Sequence, residues 1–511
     1  MDDKKAASRW TNLIKSDDWM SVWVGFLILI IFMVGFTFNA PKWKWVTDGS
    51  FQEKVEKWAG TADALAKDAE AKKEDALAAD AKALKSALDA KDRKAVGDAA
   101  KKLEASAKGA KDGDLGKKAG KLGKDVTGVA GSTVSKVFSG ENMLKALFLL
   151  AGLWVVGLIS MFLMGLPAGK FAGGFPIIFI LSALAFIIAG NDVVGYYGLE
   201  VVFWALIFGL LISNTVGVPE WLKTAIKTEY FIKIGLVLLG AEVLFTTIVT
   251  VGAYGMVQAV IVIGAVFYVC YWFAKRLGLD DEFASILASA VSICGVSAAI
   301  AAGGAVKGDS KKVSHTISLV LLMAIPMLIL QPLIAKWVGM APAVAGAWIG
   351  GTIDTTGAVV AAGAIAGEKA MSVAIVVKMA QNVLIGVAAF GLAVWFSMKQ
   401  GSTTGEKPGL KEIWTRFPKF VLGFIIASVV FSFFMTEANA KAVTDVTKEI
   451  RVWWFTLAFL CIGLETRFSE LVAMGGGKPA LAFTVAQLFN ILWTLLFAYL
   501  IFGGVFFQIP M

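Results

Sequence analysis

Residues 292–303 read S-I-C-G-V-S-A-A-I-A-A-G, and residues 352–363 read T-I-D-T-T-G-A-V-V-A-A-G. Aligned without a gap, the two match or nearly match at most positions, with Cys294 opposite Asp354 and Gly303 opposite Gly363. Both copies lie in apolar stretches that are too polar and too rich in small residues to be ordinary membrane spans. A repeated pattern of this kind, interrupted by Gly, Ser and Thr, points to discontinuous helices that meet near a bilayer midplane and form a transport site there.

The surrounding chain fits that setting. Of 511 residues, 57% are hydrophobic, which excludes an ordinary soluble globular protein. Apolar runs of about 20 residues, the length that crosses a bilayer, recur from Trp19 to the C-terminus. Alternating segments of roughly 10 residues, the mark of a transmembrane β-barrel, are absent. The reading is an all-α polytopic membrane protein with about 11 transmembrane helices plus two re-entrant or broken helical segments. The spans fall near 19–38, 143–165, 171–190, 199–214, 230–249, 253–274, 313–337, 371–396, 418–435, 453–466 and 479–503, and the repeated pattern occupies 283–304 and 343–365. The first span follows the N-terminus without a small-residue cleavage pattern and reads as retained.

The net charge of +9 is a topology signal here and carries no expectation of nucleic acid. With Lys4, Lys5, Arg9 and Lys15 placed in the cytoplasm, the loops bearing Lys223/Lys227, Lys275/Arg276, Lys307/Lys311/Lys312, Lys407/Lys411/Arg416 and Arg467/Lys478 also fall inside. That holds if 283–304 and 343–365 dip into the membrane and return, the first from the cytoplasm and the second from outside. Two broken helices that cross are the alternative. The chain thus divides into an N-terminal tail and first span (1–50), an Ala/Lys-rich hydrophilic insertion (51–140) and a transporter domain (141–511). The insertion favours helix, read as a helical hairpin or frayed helix in water. Its charge does not fix its side of the membrane.

A second repeat supports inversion. Residues 240–252 (G-A-E-V-L-F-T-T-I-V-T-V-G) and 463–475 (G-L-E-T-R-F-S-E-L-V-A-M-G) share Gly-x-Glu-x-x-Phe and a later Gly. In this topology the spans bearing Glu242 and Glu465 run in opposite directions. The two repeats do not follow one simple chain order.

Backbone that leaves a helix inside a membrane must be buried in protein or line a cavity. Gly295, Gly351 and Gly357 permit such breaks, whose helix N-termini favour anions. Cys294, Gly295, Ser297, Thr352, Thr355, Thr356 and Gly357 are the candidate substrate-binding residues. Close packing through small residues is the bland alternative. Asp354 is costly at that depth and marks an ion or proton path. With Lys378 and Asn382 it forms the candidate coupling set for Na⁺ or H⁺, and Gln381 accompanies them. A purely structural Asp354–Lys378 pair is the competing reading. Glu242 and Glu465 are secondary candidates, each alternatively a cap or interfacial residue. His315, the single histidine, reads as interfacial sooner than as a proton relay, and excludes a multi-His metal site. Cys270, Cys294 and Cys461 lie in or beside apolar segments and read as packing residues. No P-loop, Gly-x-Ser-x-Gly or other enzyme signature is present, so the chain reads as neither an enzyme nor a self-contained ATP-driven pump. No cofactor is implied.

The runs I-C-G-V-S-A-A-I-A-A, I-G-G-T-I-D-T-T-G-A-V-V-A-A-G and I-K-I-G-L-V-L-L-G-A-E resemble the YeiH-like family, over roughly residues 145–505. Its members carry a sulfate-exporter label, and the family is similar to the cation/proton antiporter and anion transporter superfamily. The resemblance implies inverted repeats, core and scaffold domains, elevator-like alternating access, a bacterial-type inner membrane and, by analogy, a homodimer. Many family members have a His-Glu pair where this chain has Asp354-Thr355, and Gln where it has Ala358. The expectation is secondary transport of a small inorganic or sulfur-containing anion, coupled to H⁺ or Na⁺. A cation/proton antiporter is the rival within transport. A channel or anchored interaction protein that uses the charged insertion is the rival outside it.

Overall fold

The computed structural model describes residues 13–196, 201–306, 308–399, 418–469 and 477–506. The basic residues Lys4, Lys5, Arg9, Lys307, Lys407, Lys411 and Arg416 used for topology lie outside them. Apart from one isolated bridge between Trp45 and Asn191, the described regular structure is helical, with 22 α-helices and a π-turn at Val430–Phe434. Among the described residues, six helices are long and apolar enough to cross a membrane: Gly140–Met164, Ala168–Ala189, Phe245–Arg276, Lys311–Trp337, Glu368–Phe396 and Lys478–Phe502. Shorter apolar helices accompany them, and large apolar side chains such as Phe148, Phe162 and Leu492 face outward. This is the surface of an integral membrane protein.

Two expected spans move. The run 230–249 divides: its helix is Thr228–Gly240, and the next begins at Phe245, so Glu242 sits in the connecting turn. The run 453–466 is only the apolar end of a 29-residue helix, Glu437–Glu465. Lys441, Asp445, Lys448 and Glu449 hide its first half from a hydropathy reading.

The chain divides into two compact units: residues 1–38, 153–182 and 205–511, and residues 39–152 and 183–204. The second contains the insertion, which corrects the expectation of a frayed hairpin. Four helices, Asp48–Ala71, Asp75–Asp89, Arg93–Ala107 and Gly113–Ala130, enclose a hydrophobic core of their own. The core follows helical spacing: Leu77, Ala81, Leu84 and Leu88 on one helix, Val96, Ala100 and Leu103 on the next, and Leu115, Ala119, Leu122 and Val126 on the last. Alanine makes this core narrow and lets the helices approach closely. Asp92 and Asp112 cap their helices by accepting first-turn amides. Asp112 also takes the Lys72 ammonium at 2.6 Å, and that partner, with the capped amides, holds its carboxyl below the usual range.

Arg93 ties the bundle shut. Its guanidinium donates to the carbonyls of Val46, Val129, Ala130 and Ser132 at 2.7–3.1 Å, pairs with Asp48 and lies 4.9 Å from the Phe51 ring centroid. A cation on the last carbonyls of Gly113–Ala130 is well placed electrostatically.

In the first unit, the helices fall into two packed groups. Asp17–Met33, Thr228–Gly240, Lys419–Val429 and Glu437–Glu465 pack on one another. Phe245–Arg276, Ser310–Trp337, Glu368–Lys399, Lys478–Phe502 and two helical hairpins form the other group. The hairpins are the repeated segments. The first runs Asp281–Ser292, breaks, and returns as Gly295–Ala305. Its feet meet: the Asp309 amide donates to Glu282 at 2.6 Å, and Lys312 pairs with Asp280 at 2.9 Å and Glu282 at 3.2 Å. The second runs Pro342–Thr352, breaks, and returns as Thr356–Ala366. Its first arm lies parallel to the start of Glu368–Lys399. A Cβ on Gly346 would meet Val373 Cβ at 2.8 Å, and one on Gly350 would meet Ala374 Cα at 2.9 Å. Gly367, at φ +124°, makes the turn from the returning arm into that helix.

Replacing Arg93 with Ala should destabilise the bundle by about 3 kcal/mol, because four carbonyls and Asp48 lose their donor. Limited proteolysis of the full-length protein should then cut within residues 48–137 at far lower protease. Unchanged resistance would refute the assignment.

Candidate functional site

The tips of the two hairpins meet. Gly295 donates its amide to the Asp354 carbonyl at 2.7 Å, joining the two breaks directly. Each hairpin brings one helix C-terminus and one helix N-terminus to this junction, and the two kinds of end are treated differently.

The C-terminal ends are satisfied from within. Lys378 places its Nζ 2.6 Å from the Ile293 carbonyl and 3.0 Å from Gln381 Oε1. Gln381 donates to the Gly351 carbonyl at 3.0 Å. Gln487 donates to the Thr352 carbonyl at 3.0 Å, and Asn490 to the Val291 carbonyl at 3.0 Å. Thr494 donates to Asn490 Oδ1 at 2.7 Å, which fixes the amide. Gln258 reaches the Ala347 carbonyl at 2.9 Å. All of these side chains are buried. They supply the donors that orphaned helix carbonyls need away from water.

The N-terminal ends face open space. A cavity of about 600 Å³ is lined at its inner end by Cys294, Ser297, Thr355, Thr356, Gly357 and Asn382. Its walls are apolar, with Leu321, Ile325, Leu328 and Ile385 among them, and its rim carries Asp17, Asp18, Lys227, Glu229, Lys233 and Glu465. Cys294 holds the cap position of the first returning arm without a side-chain cap bond, whereas the Thr355 hydroxyl caps the second by accepting the Ala358 amide at 3.3 Å. Asn382 donates to the Thr356 hydroxyl at 3.2 Å and leaves its buried Oδ1 without a partner.

Six of the seven residues expected to bind substrate lie at the junction's open face or in its tip bond; Thr352 does not. Its hydroxyl donates to the Trp348 carbonyl at 2.6 Å, and its own carbonyl is taken by Gln487. Gly295 is present, but its amide is committed to Asp354. Asp354 lies behind the cavity at 1% exposure, with Oδ2 unpartnered. The Asp354–Lys378 contact pair of the competing reading does not form among the described residues: the ammonium goes to the Ile293 carbonyl at the break. His315 stands apart, half-buried against Phe283 with ring centroids 5.9 Å apart. Glu465 joins the cavity rim. Glu242 makes a two-point pair with buried Arg451, at 2.7 and 2.9 Å.

Sequence reasoning missed Gln258, Gln487, Asn490 and Arg451. The signal was available as isolated amides and a cation in or beside apolar runs, residues that seldom sit there without partners.

Comparison with known proteins identifies the family. A family described as Conserved hypothetical protein 698 matches residues 173–482, which contain both hairpins. A UPF0324 membrane protein of Rhodopirellula baltica is 44% identical over 352 residues, covering 67% of this chain and 65% of that relative. One of Nitratidesulfovibrio vulgaris is 41% identical over 384 residues, covering 73% of this chain and 66% of that relative. The match thus spans just under two thirds of either relative's length. The UPF0324 inner membrane protein YeiH of Escherichia coli is 26% identical over 309 residues, 59% of this chain and 82% of that protein. No solved structure matches the chain.

Replacing Asn490 with Leu should cost about 2 kcal/mol, by leaving the buried Val291 carbonyl without its donor. The thermal unfolding midpoint of the purified protein should fall clearly; an unchanged midpoint would show that the junction does not depend on this amide. On the matches above, the chain belongs to the YeiH-like family of membrane proteins.

Proposed function

We propose that this YeiH-like membrane protein is a secondary active transporter of a small inorganic or sulfur-containing anion of the sulfate or sulfite kind. One observation carries the reading: at the hairpin junction the negative helix ends are capped internally, while the positive ends face the cavity. First-turn amides have no intrahelical acceptor and, with the helix dipole, favour an anion. The Ser297, Thr355 and Thr356 hydroxyls add donors beside them.

The architecture supports alternating access. The two hairpins approach from opposite ends of Ser310–Trp337: one has its feet at the start of that helix, and the other begins five residues beyond its end. In a bilayer this makes them re-entrant from opposite faces, joined at mid-depth. The hairpin group is the core and the other helix group the scaffold of an elevator-like device with inverted repeats. With the N-terminus cytoplasmic, the cavity opens to the cytoplasm. The work of the protein is then translocation without covalent chemistry.

Asp354 is the coupling residue in this reading. A carboxylate at 1% exposure with an unpartnered oxygen is a place for a proton or Na⁺. Lys378, held one helical turn from Asn382 on the same helix, sets the local charge. The unpartnered oxygens of Asp354 and Asn382 also favour the second reading, a cation/proton antiporter in which they take the cation.

An anion panel (sulfate, sulfite, thiosulfate, small sulfonates, carboxylates, chloride) tests the two readings by thermal stabilisation, with and without Na⁺ at two pH values. At 100 times its Kd the substrate should stabilise by about 2.7 kcal/mol. Ser297→Ala should weaken that response about tenfold, the cost of one lost hydrogen bond to an anion. Stabilisation by Na⁺ or pH alone would select the antiporter. Asp354→Asn should bind the anion yet transport it without pH or Na⁺ dependence; normal coupling in that variant would remove Asp354 from the mechanism.

A further inference from the structure

The Gly-x-Glu-x-x-Phe motifs differ by a shift of 223 residues, and equivalent motif positions make equivalent contacts. Ser428 donates to the Val243 carbonyl at 2.5 Å, and Ser213 donates to the Thr466 carbonyl at 2.6 Å. The Phe245 amide donates to Ser432 at 2.9 Å, and the Phe468 amide donates to Asn214 at 2.7 Å. Arg451 and Thr228 each precede a motif glutamate by 14 residues, and each contacts the glutamate of the other motif. This exchange is what a two-fold axis between the halves requires.

The exchange is unequal in charge. Glu242 receives both oxygens' worth of bonds from the Arg451 guanidinium, and Lys448 and Glu368 extend the pair onto the foot of the second hairpin. Glu465 receives a single neutral hydrogen bond from Thr228 Oγ1 at 2.8 Å and forms no ion pair among the described residues. The two contacts lie about 21 Å apart along the antiparallel helices, given 1.5 Å per residue. The Glu242–Arg451 pair is largely buried, with side chains 16% and 2% exposed, and the Glu465 end borders the cavity.

We propose that Glu465 is a loadable cation site: it takes a proton or small monovalent cation in place of the arginine that its twin possesses, and the cavity end closes only when it is loaded. This rests on the alternating-access reading above. Closing that end around a bare carboxylate would bury an unpaired charge, which the Thr228 hydroxyl cannot offset. At the other end Arg451 is a cation built into the chain, so that end closes with no ligand. The groups facing Glu465 are Cys461 on its own helix, Lys227 and Glu229 at the start of the facing helix, and, around the rim, Lys233, Asp17 and Asp18, the last in contact with the Lys419 amide. Lys233 is committed to Asp18 at 2.7 Å and Glu229 at 3.6 Å.

The test reads access to Cys294 at the cavity's inner end. Full-length protein carrying Cys270→Ser and Cys461→Ser is reconstituted in nanodiscs and labelled with a water-soluble maleimide, each rate normalised to the denatured protein at the same pH. Labelling should slow about tenfold on acidification or on adding Na⁺, and which of the two acts identifies the cation. Glu465→Gln and Thr228→Arg should both be slow and insensitive to pH and Na⁺, one by removing the negative charge and the other by pairing it. The double variant, with an unpaired arginine, should label rapidly again. Single variants with normal rates and normal sensitivity, or a double variant as slow as the singles, would overturn the proposal. So would loss of closure in Lys227→Gln, which would make that lysine the closing charge. Labelling needs no transported anion, so the switch can hold while the anion reading fails, and the reverse.

Discussion

The bond between the Gly295 amide and the Asp354 carbonyl is the contact around which the membrane unit is arranged. Two helices broken at the same depth leave carbonyls and amides with no helical partner, and a bilayer interior offers no water to take them. Each unsatisfied group costs several kcal/mol there. The tip-to-tip bond settles one amide and one carbonyl at once. The rest of the core then appears as a set of donors brought to the remaining carbonyls: Lys378 and Gln381 from one span, Gln487 and Asn490 from another. Beyond that bond the amide ends receive only the Thr355 cap on the Ala358 amide, so the junction is polarised toward the cavity.

How far this was legible depends on whether the deciding signal was local. The repeated pattern and its glycines mark the breaks because backbone freedom is written in the residues that leave the helix. Lys378, Gln381 and Asn382 could be read with them, since polar residues in an apolar run stand out. Their partners could not be read: Lys378 chooses the Ile293 carbonyl over contact with Asp354, and only the three-dimensional crossing puts that carbonyl within reach. Gln487 and Asn490 lie more than 120 residues beyond the second break and look like isolated polar substitutions in the last span. Arg451 was lost for a different reason. A hydropathy reading begins that span at Trp453, two residues after the cation that carries the Glu242 pair.

The insertion shows the opposite failure. Its charge and alanine content suggest a solvated helix. The Leu and Val positions at helical spacing are few, yet Ala62, Ala69, Ala81, Ala100 and Ala119 fill the space between them with no exposed surface. A core built on alanine has little hydropathy contrast and emerges only when four helices are seen together. Arg93 then offsets the thinness of that core with a dense set of bonds at one end of the bundle.

Duplication and asymmetry do separate jobs in this molecule. Two equivalent halves provide two equivalent ends, and a strictly symmetric pair would place the closed-at-one-end states at equal energy. Every departure from symmetry on the path breaks that tie: Asp354 stands where its repeat has Cys294, and Arg451 where its repeat has Thr228. A difference of 1.4 kcal/mol shifts such an equilibrium about tenfold. A guanidinium–carboxylate pair that closes one end, set against a lone hydroxyl at the other, exceeds that difference readily. The repeats therefore account for the existence of two states, and the few unmatched charged residues account for which state is occupied and for what must bind before the other can be reached.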